Sequence, residues 1–112
     1  MTVGFAGEAV RLRDRGHLSV ADIARATGAE SSSVRAWLND TRTPSGDRAE
    51  RLVELSSVVE RLADFMEGEY IPVWLRKPNL GLAERKPIDV IASGGYREVS
   101  ALLASIESTP VS

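Results

Sequence analysis

A chain of 112 residues, 43% of them hydrophobic, is enough for one compact unit or two small ones sharing a core, and 27% charged residues keep such a body in solution. The lack of cysteine excludes a disulfide scaffold and any thiolate metal site, and no apolar run approaches the roughly 20 residues of a membrane span. The formal charge of −2 hides an asymmetry: residues 1–48 hold seven arginines against six acids and residues 49–112 seven bases against ten acids, so charge alone gives no nucleic-acid footprint.

Phe5 to about Arg15 reads as a first helix, with Phe5, Ala9 and Leu12 at helical spacing and Gly16 as its stop. Ser19 is a good N-cap, and Asp22 three residues on completes an arrangement like a capping box. A second helix therefore runs from Val20 to about Thr27 and ends at Gly28, where a positive φ costs little. Ser31 or Ser32 is expected to cap a third helix carrying Val34, Trp37 and Leu38 on its inner side.

Pro44, Ser45 and Gly46 mark a loop, after which Asp47 to about Met66 forms the longest helix, roughly 30 Å. Leu52, Leu55, Val59, Leu62 and Met66 make one apolar seam along it, and Ala49, Val53, Val58 and Phe65 are expected to widen the buried surface, with Gly68 as the stop. Pro72, Pro78 and Pro87 each suit a first helical position, which predicts short helices near 72–76, 78–84 and 87–92. Ser93-Gly94-Gly95 is a turn, and Tyr96 to about Glu107 is a last amphipathic helix with Val99, Leu102, Leu103 and Ile106 inward. No strand pattern and no repeat appear, so the fold class is all-α.

Residues 18–39 carry the spacing of a helix-turn-helix. Ala24 lies four residues before Gly28, while Val34 and Trp37 follow it by six and nine. A small residue lets the helices cross closely, a glycine makes the turn, and the later apolar residues lock the second helix onto the first. Ser31, Ser32, Arg35 and Asn39 then face outward, with Arg42 just beyond. These are DNA-reading types: arginine forks onto guanine, asparagine onto adenine, and serines hold phosphates. Glu30 and Asp40 oppose phosphates, an objection that a dimer with doubled contacts would ease.

The helix-turn-helix, with Trp37-Leu38 and the Thr43-Pro44 loop, resembles the Xre class. Val73-Trp74, Pro78-Asn79, Leu82, Lys86-Pro87, Asp89 and Gly95-Tyr96 resemble the toxin-binding part of the Xre/MbcA/ParS antitoxins. The resemblance spans residues 18–107 and implies an N-terminal helix-turn-helix unit with a long closing helix (1–66), then a toxin-binding bundle of short helices (67–112). It further implies a RES-domain, NAD-depleting toxin as partner, operator DNA as a second ligand, and a homodimer or larger hetero-oligomer with the toxin. Cofactor and metal are expected to be absent. On physical grounds the amphipathic last helix and acidic tail offer Tyr96, Arg97, Leu103, Ile106, Glu107, Val111 and Ser112 to such a toxin, with Glu107 or the Ser112 carboxylate as anionic plug for a pyrophosphate site. Trp74 reads as core, and Asp89 as a charge favouring the N-terminus of its helix.

An enzyme is the weakest reading. The one histidine, His17, sits between helices, and no phosphate-binding glycine loop or ligand cluster accompanies it. The stronger rival is a stand-alone dimeric repressor. With no signal-peptide pattern in the first residues, a cytoplasmic protein is the simplest expectation.

Overall fold

The structure, a computed structural model, describes residues 5–108, with side chains from residue 7 onward. It contains seven α-helices among these residues: α1 (Phe5–Asp14), α2 (Val20–Thr27), α3 (Ser31–Leu38), α4 (Gly46–Ala63), α5 (Ile71–Arg76), α6 (Pro87–Ala92) and α7 (Tyr96–Glu107). No strand forms among the described residues, and Asn79 and Arg85 make one isolated antiparallel bridge.

Local signals set several boundaries. The Asp22 amide donates to Ser19 Oγ (3.1 Å) and the Ser19 amide to Asp22 Oδ2 (3.0 Å), a closed capping box that starts α2. Gly28 ends it at φ 76°, its N–H bonded to the Ala24 carbonyl. Pro87 stands at the first turn of α6.

Other boundaries differ from expectation. Glu30, not Ser31 or Ser32, occupies the N-cap of α3. Ala29 is buried, and its amide lies 3.4 Å from the Thr27 hydroxyl, so the turn closes one residue early. Helix α4 stops at Ala63, where the Asp64 and Phe65 amides reach back only three residues, to Arg61 and Leu62. Gly68 instead opens a 3₁₀ turn, Gly68–Tyr70, that leads into α5.

Pro78 does not head a helix either. Residues 77–86 form a closed loop with one 3₁₀ turn, Leu80–Leu82. The Asn79 amide donates to the Arg85 carbonyl (3.1 Å), and the Asn79 side chain accepts from Gly81 N–H (2.9 Å). Ala83 and Glu84 then take positive φ, 56° and 64°, which turns the chain back rather than onward.

One hydrophobic cluster runs from Ala9 and Leu12 in α1 to Val99 and Leu103 in α7, and α4 is its axle. Leu52, Leu55, Val59 and Leu62 of the seam are buried, as are Ala49 and Val58. Val53 and Phe65 do not widen that surface; they are 44% and 43% exposed. A helix crossed by α1, α2 and α7 still keeps one face to water. Trp74 packs half-buried against the cluster. Phe5, whose side chain lies outside the described set, is not placed.

Candidate functional site

Helix α2 belongs to both halves of the molecule, since it packs against α3 on one side and α6 on another. Two forked ion pairs tie α2 to the C-terminal half, one to α5 and one to α6. Arg76 of α5 donates to the Asp22 carboxylate at 2.8 and 2.5 Å, and Arg25 of α2 donates to Asp89 at 2.6 and 2.9 Å. Asp22 thus serves the cap of α2 and the docking of α5 at once. Burial works to raise its pKa, but the Arg76 and Ser19 hydrogen bonds outweigh it and hold the carboxyl below the ordinary range. Asp89 does more than favour its own helix end, because its partner lies 64 residues away.

On the helix-turn-helix, Ser32, Arg35, Asn39 and Arg42 are exposed and Ser31 half-buried, all on α3 or just beyond it. Asn39 Oδ1 already accepts from the Thr41 amide (3.2 Å) and hydroxyl (2.6 Å), which leaves only its NH2 group free. Arg42 donates to Ser33 Oγ at 3.3 Å.

The residues expected on the second surface separate when placed. Tyr96 is half-buried, its hydroxyl 3.0 Å from Ser57 Oγ of α4. Leu103 is wholly buried in the core, so it supports α7 rather than presenting a contact. Arg97 is exposed, and Ile106 is 38% exposed at the outer end of α7. Glu107 is not free: Arg61 of α4 grips it at 3.1 and 2.6 Å and also donates to the Ser100 hydroxyl (2.8 Å) and carbonyl (3.2 Å). That grip holds the Glu107 carboxyl below its ordinary pKa. Val111 and Ser112 lie outside the described residues.

Ion pairing changes what the composition says about charge. Of the 14 lysines and arginines, eight form ion pairs among the described residues, leaving Arg35, Arg42, Arg48, Lys77, Lys86 and Arg97 without one. Three of these six lie on α3, its following loop and the start of α4; the other three lie beyond residue 76. Arg48 had no signal in the sequence, because only the pairing pattern distinguishes it. The same holds for Tyr70, Val73 and Leu80, exposed at 56%, 55% and 84%. Their apolar character is plain in the sequence, whereas their outward facing is set by which neighbours reach the core first. No cluster of three or more potential metal ligands occurs among the described residues, and no described helix is long and apolar enough to cross a membrane.

Comparison with known proteins accords with this geometry. The family model of the antitoxin Xre/MbcA/ParS C-terminal toxin-binding domain matches residues 67–108. The mycobacterial cidal antitoxin MbcA, from Mycobacterium tuberculosis H37Rv and from Mycobacterium bovis, is 31% identical over 86 residues, 77% of this chain and 76% of the relative. A chain in the crystal structure of the M. tuberculosis MbcT–MbcA toxin–antitoxin complex is similar with a TM-score of 0.84 and 28% identity, over 99% of this chain and 100% of that one.

Proposed function

The chain belongs to the Xre/MbcA/ParS antitoxin family, and from that premise we propose that it binds a cognate RES-domain, NAD-degrading toxin and neutralises it by covering the toxin's active site. The observation that carries this reading is the end-to-end likeness to a chain of a toxin–antitoxin complex. This reading assigns residues 1–66 to the helix-turn-helix unit with its closing helix and residues 67–112 to the toxin-binding unit. In this reading the chain is a binding protein and catalyses nothing, and both partners act in the cytoplasm.

The roles on α7 follow from placement. Tyr96 and Leu103 hold the helix against α4 and the core, while Arg97 and Ile106 offer a cation and an apolar group to the partner. A pyrophosphate pocket presents N–H groups and cations. Glu107 answers that chemistry by exchanging Arg61 for a cation of the toxin, and residues 108–112, including Val111 and Ser112, complete the plug. The reading predicts a neighbouring gene for a RES-domain protein, and co-expression tests it: the chain should restore growth to cells producing that protein, and failure to do so removes the proposal. Removing residues 108–112 should weaken protection, and full protection by the shortened chain would refute the tail's part.

Repression of its own operon is a second role, favoured by Arg35, Arg42 and Arg48, whose charges no carboxylate neutralises among the described residues. A gel shift on its own promoter, with and without toxin, separates this from a stand-alone dimeric repressor, which needs no toxin to bind tightly. Native mass measurement of the complex gives its stoichiometry, for which we propose paired copies of the chain.

A further inference from the structure

Leu80 is the most exposed large apolar side chain among the described residues, at 84%. It is not exposed by looseness. The bridge between Asn79 and Arg85 closes the loop beneath it, and its neighbour Leu82 is buried in the core. Gly81 lies so close to α7 that a Cβ there would come within 2.6 Å of Leu102 Cδ1. Arg85 pairs with Glu98 of α7 and donates through Nε to the Leu82 carbonyl (2.9 Å).

The loop also holds two successive non-glycine residues, Ala83 and Glu84, in the left-handed region. That conformation is unfavourable for residues with a Cβ and persists only where the surroundings impose it. A leucine fixed in water on a braced, strained loop is pre-organised for a partner, because little freedom remains to be lost on docking. Lys77 and Lys86 stand at the base of this loop without ion pairs among the described residues.

We propose that residues 77–86 form a docking element separate from the α7 plug, in which Leu80 enters an apolar socket on the toxin and Lys77 and Lys86 meet carboxylates at the rim of that socket. The inference rests on the antitoxin reading above. The loop lies within residues 67–108, matched by the toxin-binding family model. A second copy of this chain is the poorer occupant, since a two-fold interface would bring the same lysines face to face. The plug then inhibits, and the loop holds.

The test uses this chain and an inactivated form of its cognate toxin, which the antitoxin reading expects to be a RES-domain protein. Leu80→Ala should lower affinity about tenfold and Leu80→Glu about a hundredfold, while Leu80→Met stays within about threefold of wild type. The pair Lys77→Glu and Lys86→Glu should slow association roughly tenfold and flatten its salt dependence. Circular dichroism and melting temperature of the Leu80 variants should match wild type. Val53→Glu, at a distant exposed position on α4, should bind as wild type does.

Equal affinity of wild type and Leu80→Glu overturns the docking element and leaves the antitoxin reading standing. No binding by wild type overturns both. Loss of self-association in Leu80→Glu at unchanged toxin affinity assigns the loop to a second copy and overturns the proposal, as does an equal loss from Val53→Glu.

Discussion

Asp22 carries two structural tasks on one carboxylate. Its carboxylate closes the capping box of α2 and accepts both arms of Arg76, although half of the arginine side chain faces water. Asp22→Asn should cost about 1–2 kcal/mol, combining a weakened capping box with the loss of a charged, bidentate acceptor for Arg76, discounted for solvent screening. For a domain of this size that is a fall in Tm of roughly 5–10 °C in a thermal melt. The sign with pH is fixed by the depressed carboxyl. Its contribution is fully present above the unfolded-state pKa of about 4 and is lost as pH falls through the lower folded value. Urea titrations of wild type and Asp22→Asn should therefore differ at pH 7 and converge as the pH falls through the titration of this carboxyl. Gly28 gives a simpler case. Its φ is 76° with open space where a Cβ would stand, so Gly28→Ala should lose about 1 kcal/mol through the backbone alone, again readable in urea.

Among the elements, α7 is held by two different means. Leu103 is fully buried and ties the helix to the core, so Leu103→Ala should cost about 2–5 kcal/mol, measured by denaturant unfolding. Arg61 holds only the last turns, through Ser100 and Glu107. Arg61→Ala should leave the melting temperature nearly unchanged yet speed amide exchange over residues 104–107 by about tenfold or more. Such local signals also decided what could be read from the sequence. Ser19 with Asp22, Pro87, and Gly95 before Tyr96 placed the limits of α2, α6 and the start of α7, because each acts within a few residues. Pro78 misled because a proline suits a turn as well as a first helical position. What decides between them is the Asn79–Arg85 closure and the burial of Leu82, and no periodicity carries either. On the candidate surface, the apolar spacing of α7 set Leu103 inward, as found, but it also set Ile106 inward, whereas that residue is 38% exposed at the helix end. The engagement of Glu107 by a residue 46 positions away was not legible, because no local spacing carries a contact at that separation.

At the scale of the whole molecule, one core joins the helix-turn-helix to the short-helix bundle, with α4 and α2 shared between them. A core of this kind should unfold as a single cooperative unit. Trp37, buried beside the turn, and Trp74, half-buried in α5, sit one in each half. Trp37→Phe and Trp74→Phe each leave one reporter. Corrected for the stability change of each substitution, the two should give the same urea midpoint and slope by fluorescence as by far-ultraviolet circular dichroism. Two separate midpoints would mean that the halves fold independently.

The double grip of α2 on α5 and α6 also limits how such a protein can diversify. Recombination that exchanged the N-terminal half for another helix-turn-helix would deliver a foreign second helix to Arg76 and Asp89. Unless that helix carried an acid at the third position after its cap and an arginine three residues further on, both charges would be orphaned. A change in either half must therefore keep the side chains through which this eight-residue helix holds the other.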